Sequence, residues 1–250
     1  MQSFLVPVDR RQVEGVKSFV ASGRYLSELM LREQSLDFSS GSEAGACWMI
    51  AGSEVKGRGA QIEAVVRAAC PWVPFGRSRS QEERASAALL KALLGRRWGC
   101  KSMASAPDRK PYFLGQRHTW SITYGGGMVT LGWGRDLGGI DAEREDSVSE
   151  ERWMALRGVS PSLEGWAREE SSHEHDRAFY RAWTAVEAVA KRRGAGLSAR
   201  SLRRPSDNVA VVVTSFSLGG HTVAVASSCA YLPALFCVNV DAALDFLCGS

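Results

Sequence analysis

Three carboxylates, two of them close together and one far along the chain, are the residues whose types and spacing could do chemistry. In LGGIDAE, Asp141 and Glu143 stand two residues apart. In an extended segment both carboxylates therefore leave one side, while Ile140 and Ala142 leave the other. Like charges that close raise each other's pKa unless a cation lies between them, and a hard divalent ion is one remedy. Magnesium suits the purpose because it prefers oxygen ligands and commonly keeps waters and substrate phosphates in its shell. The third acid, Glu187, is set into an almost wholly apolar stretch, DRAFYRAWTAVEAVAKRRGAGL from Asp176 to Leu197. There Trp183, Glu187 and Lys191 are each four residues apart, so on a helix the carboxylate has a ring below it and an ammonium above. Arg77 and Arg79 precede Ser80, which with Glu83 has the spacing of a capping box. Two guanidiniums at a helix N-terminus favour an anion such as a phosphate. Taken singly, each feature has a plainer alternative: a surface Glu-Lys pair, a solvent-facing acidic turn, a solvated basic loop.

The elements that must position these groups follow from hydrophobic period and breakers. Phe179, Trp183, Val186, Val189 and Ala190 recur at helical steps, and alanines fill the flanks, predicting a helix buried on more than one side. Asp141 and Glu143 are predicted on a strand. Upstream, the spacing predicts two short helices around Val13 to Val20 and Leu26 to Leu31, a strand over Ala46 to Ala51, and a helix over Gln61 to Cys70 stopped by Pro71 and Pro74. The helix capped by Ser80 is predicted to run to Leu94 and end at Gly95. Strands and turns follow from Lys101 to Gly134, bent at Gly125 to Gly127, and a short helix with a loop is expected over Ala155 to Glu174. The apolar region from Val209 to Leu247 reads as buried strands, beginning with a hairpin across Gly219-Gly220.

Composition sets the outer limits. The 250 residues are 45% hydrophobic, enough for a sizeable core in one large domain or two smaller ones. A net charge of +4, from 31 basic against 27 acidic residues spread along the chain, suits an anionic ligand but falls short of a nucleic-acid signature. Polar and glycine interruptions leave no membrane-spanning run of about 20 residues. The opening MQSFLVPVDRR has too short an apolar stretch for a signal-peptide core, so the expected location is cytoplasmic. Six cysteines without a CxxC pair read as free thiols, most of them buried, in a reducing compartment.

With these residues in view, the chain resembles a known family. GGIDAE followed by WTAVEAVAKRRGAGL is similar to the paired signature of the surfactin-type phosphopantetheinyl transferases, an I/V-G-I/V-D-x-E strand and then W-x-x-K-E-x-x-x-K-x-x-G-x-G-L. Gly139, Asp141, Glu143, Trp183, Glu187, Lys191, Gly194, Gly196 and Leu197 carry the match. RKPYF looks like the family's G-K-P segment, with Lys110 in the lysine position, and WSITY like its N-I-S-H strand, with Thr123 and Tyr124 at the last two places. The resemblance covers residues 77 to 225 and scarcely touches the first 75.

It implies a Mg²⁺-dependent transferase, with Mn²⁺ as an alternative, that moves the 4'-phosphopantetheine arm of coenzyme A to a serine of an apo acyl or peptidyl carrier protein of secondary metabolism. Asp141, Glu143 and Glu187 would hold the metal, and Glu187 would also accept the serine proton. Lys191 would stabilise the departing phosphate, and Arg77, Arg79, Lys110, Thr123 and Tyr124 would contact coenzyme A. The implied fold is α+β in two pseudo-symmetric halves, residues 1–134 and 135–250, each an antiparallel sheet packed against helices, with the active site in the cleft between them. A monomer is expected. Two positions depart from the pattern: Tyr124 stands where the family has histidine, and Val186 where it has lysine. Arg117, His118 and Arg192 are candidates to replace the lost charge, and the alternative is a degenerate homologue that binds coenzyme A or a carrier without efficient transfer.

Overall fold

A computed structural model describes residues 3–22, 25–34, 45–76, 79–104, 112–114, 119–134, 137–169, 174–194, 211–230 and 232–249. The chain folds as α+β, built on two five-stranded sheets with helices against each. The first sheet runs β1 (Leu5–Pro7), β12 (Ala234–Val238), β4 (Gly45–Ala51), β8 (Met128–Gly134), β7 (Thr119–Gly125). The second runs β3 (Met30–Gln34), β2 (Val13–Ser22), β10 (Val211–Leu218), β11 (His221–Ser227), β9 (Gly139–Arg144). A short ladder pairs β5 (Met103–Ala104) with β6 (Tyr112–Phe113). The second sheet is antiparallel throughout. In the first, the expectation of an antiparallel sheet needs one correction, because β12 lies parallel to β4.

Alternation along the strands builds the layers. On β4, Trp48 and Ile50 enter a cluster with α2 (Gly59–Ala69), α3 (Gln81–Arg97) and α7 (Val240–Cys248), while Cys47 and Met49 face the other way. On β11, Ala224 and Ala226 join α4 (Glu150–Val159), α5 (Pro161–Glu169) and α6 (His175–Arg192), while Val223 and Val225 turn toward Cys47 and Met49. Residues of both sheets thus enclose a third apolar layer between them, to which Met128, Ile140, Phe216 and Leu235 also contribute. Each large apolar side chain fully buried in these layers contributes about 1.5–3 kcal/mol. The end strands β7 and β9 lie against one another, so the two sheets meet along the strands expected to carry the chemistry.

Sheet membership does not follow the expected division at Gly134. Strands β2 and β3 pair into the second sheet through β10, and β12 and α7 return to the first. The helical reading of Val13 to Val20 is overturned, since β2 is a ten-residue strand paired on both edges. Its apolar spacing mimics a helix because the ladder is irregular, with a register shift opposite Ser215 and Ser217. The strand reading toward Leu247 is corrected at α7, where Val240, Ala243, Leu244 and Leu247 are buried at helical spacing and Asn239 caps the N-terminus by accepting from the Ala242 amide at 3.0 Å. Helix α3 has the expected capping box but continues past Gly95, whose missing Cβ makes room for the Trp72 ring. Residues 155–174 hold parts of two helices where one was expected. Cys47, Cys70 and Cys100 are buried, Cys229, Cys237 and Cys248 exposed, and all six are free. Among the described residues, no helix is long and apolar enough to cross a membrane.

Candidate active site

Strand β9 is held between a strand and a helix at van der Waals distance, and glycines make this approach feasible. A Cβ on Gly125, at the end of β7, would overlap the carbonyl oxygen of Ala142 on β9. A Cβ on Gly139, at the start of β9, would overlap the Ala188 carbonyl on α6. With both side chains absent, β7, β9 and α6 converge, and Thr123, Asp141, Glu187 and Lys191 meet. Asp141 leaves β9 on the side opposite Ile140 and Ala142, which lie in the layer between the sheets.

Asp141 is 1% exposed. Its Oδ1 accepts from Thr123 Oγ1 at 2.7 Å and from Lys191 Nζ at 2.6 Å, and Lys191 Nζ also donates to Thr123 Oγ1 at 3.0 Å. The other oxygen, Oδ2, is buried without a hydrogen-bond partner. Glu187 lies one helical turn before Lys191, with Oε2 at 3.9 Å from Nζ. On α6 only the edge carrying Trp183, Glu187 and Lys191 is partly open along the central turns; their neighbours from Ala178 to Ala190 are buried.

Two carboxylates of the cluster are held above their ordinary pKa. Burial, and next the charge of Asp141, push the Glu187 carboxyl up to about 7, and Lys191 opposes them. Glu143, on the same side of β9, is also raised by burial and by Asp141, against the pull of Arg152, Lys191 and Arg79. The orphaned Oδ2 of Asp141 calls for a donor or a cation: a proton shared with Glu187, a water or a metal ion would each satisfy it.

The expected phosphate contacts fall into two groups. Arg77 and Lys110, like Arg117, His118, Gly196 and Leu197, lie outside the described residues. Arg79 lies within them, its guanidinium 4.3 Å from the centre of the Tyr124 ring. Burial raises the Tyr124 hydroxyl, with Arg79 opposing. Tyrosine cannot bear the charge of an imidazolium, but here its face carries a guanidinium. Val186 is fully buried in the core beneath α6.

Two contributions escape the sequence reading. Thr123 bonds both Asp141 and Lys191. Arg152, in the first turn of α4, donates to the Tyr180 hydroxyl at 2.6 Å and brings a positive charge toward Glu143; no periodicity marks it. Among the described residues, no three His, Cys, Asp or Glu side chains form a group that could hold a metal ion. The donors nevertheless fit a hard cation: all are oxygens, one is orphaned, and magnesium is commonly held by one or two carboxylates plus waters and substrate phosphates.

Comparison with models of protein families gives no match to this chain, and comparison with curated proteins gives none either. The functional reading rests on the geometry and on the sequence signature.

Proposed function

We propose that this protein transfers the 4'-phosphopantetheine arm of coenzyme A to a serine hydroxyl of an apo acyl or peptidyl carrier protein, releasing 3',5'-ADP. The observation that carries the reading is the meeting of Asp141, Glu187 and Lys191, from a strand and a helix distant in sequence, at one partly buried site. A dianionic pyrophosphate beside three carboxylates favours a bridging cation, and the signature residues are the ones that meet there.

In this reaction the serine oxygen forms a bond to the β-phosphorus as the bond to the bridging oxygen of the pyrophosphate breaks. Glu187 accepts the serine proton, directly or through a water. Lys191, one turn on and 27% exposed, reaches the phosphate that departs with the nucleotide. Arg79, backed by Tyr124, holds a further phosphate. Asp141 and Glu187, with Glu143 beside them, would hold Mg²⁺ or Mn²⁺, which when bound neutralises charge building on the phosphoryl oxygens. The trigonal group needs little covalent help, so positioning and charge dominate.

The test is intact-mass analysis of several apo carrier proteins after incubation with the protein, coenzyme A and Mg²⁺. A phosphopantetheine increment on at least one carrier is expected. No increment on any, with coenzyme A binding measurable by calorimetry, overturns transfer and leaves a binding protein.

A further inference from the structure

The Lys191 ammonium occupies a position in the cleft that serves two purposes. It holds Asp141 Oδ1 at 2.6 Å and Thr123 Oγ1 at 3.0 Å, and stands 3.9 Å from Glu187 Oε2. Asp141 is buried, so a counter-ion at hydrogen-bond distance is what keeps its charge tolerable. The same ammonium sits beside the carboxylates that a divalent ion would need, where like charges repel. Its four-carbon stem leaves α6 along the partly open edge, which gives it freedom to turn from Asp141 toward a ligand without moving the helix.

Resting on the reading of this cleft as a pyrophosphate site, we infer that Lys191 is a built-in counter-ion that couples divalent cation and pyrophosphate, binding Asp141 until the phosphates draw it away and admit the metal. Each ligand then binds weakly alone and tightly with the other. By linkage, the factor by which coenzyme A tightens the metal equals the factor by which the metal tightens coenzyme A. The device keeps metal from settling on bare carboxylates and commits the cleft only when both components arrive. Thr123 is the fixed point of the exchange: donating to Asp141 and accepting from Lys191, it holds the carboxylate in place while the ammonium leaves.

Mn²⁺ binding, followed by electron paramagnetic resonance of the free ion and by calorimetry, tests this without any turnover. In the absence of coenzyme A, Lys191→Met is expected to bind Mn²⁺ about tenfold more tightly than the wild type, the size of effect typical of coupled sites. Coenzyme A should tighten Mn²⁺ binding in the wild type by a larger factor than in the variant. Lys191→Gln, which keeps a hydrogen-bond donor for Asp141 but no charge, guards against misfolding and should behave as Lys191→Met does. Wild-type or weaker Mn²⁺ affinity in both folded variants overturns the coupling and leaves the proposed transferase untouched. Absence of Mn²⁺ binding in all three proteins overturns the metal reading and the coupling together. Intact coupling with no modification of any carrier would sustain this inference and sink the transfer reaction alone.

Discussion

Glu143 on β9 and Glu145 just beyond it are two residues apart and live under opposite electrostatics. Burial works to raise Glu145, but hydroxyls of Thr222 and Ser217, each at 2.7 Å from Oε1, and the Arg177 guanidinium outweigh it and hold the carboxyl below its ordinary value. Glu143 and Glu187 are held above theirs, by burial and by Asp141, and Asp141 keeps one oxygen without a partner. The first cluster satisfies its charge from within the protein and reads as structural. The second needs something the protein does not supply in full. That difference separates a carboxylate that stabilises the fold from carboxylates placed to meet a ligand.

The largest effect that could break the contrast is on catalysis. Glu187→Gln keeps the shape and removes the charge, and the carrier-modification rate is expected to fall about 10²–10⁴-fold, the range for loss of a general base. Its urea midpoint should not drop, because a carboxyl held above its ordinary value gains by losing its charge. A midpoint lowered as far as that of a Glu145 variant would dissolve the distinction. Glu145→Gln is expected to do the reverse, costing about 1.5–3 kcal/mol in urea unfolding through its charge-assisted hydrogen bonds, with transfer retained.

Gly125→Ala should cost about 1–3 kcal/mol by forcing β7 off β9. Mn²⁺ affinity should fall with it, since Thr123 travels with the strand; a well-folded variant with unchanged metal binding would show that the close approach is not what assembles the cleft. The remaining effects lie in pH dependence. Glu187 has its ordinary 4.5 raised to about 7 in the fold, so the stability it contributes is full below 4.5 and lost as pH rises through about 7. Glu145 is depressed, so its contribution is present above the ordinary value and lost as pH falls through the acid range. Urea titrations across pH, in chelator, should show the neutral-side loss vanish in Glu187→Gln and the acid-side loss shrink in Glu145→Gln.

Much of the site's scaffold was legible because it is local. The two-residue step from Asp141 to Glu143, the four-residue steps from Trp183 to Lys191, the Ser80-Glu83 box and the Gly219-Gly220 hairpin each depend on neighbours along the chain, and the structure has strand, helix, cap and turn at those places. What failed depends on distant partners. The apolar spacing of β2 reads as helix because its pairing with β10 and β3 leaves no mark in its own period. The parallel pairing of β12 with β4 joins residues about three quarters of the chain apart. The bond of Thr123 to Asp141 likewise arises only from the packing of β7 on β9. α7 is the miss that a closer count would have prevented, since its buried residues stand at helical spacing in the sequence itself.

The exchange of strands between the sheets reaches beyond the cleft. Residues near the start, in β2 and β3, complete the later sheet, and residues near the end, in β12 and α7, complete the earlier one. Severing the chain between β8 and β9 would hand each fragment strands whose edges belong to the other. Such fragments should be recoverable as a folded pair on co-expression and aggregate when made apart, because the polypeptide laces its own two halves shut at both ends.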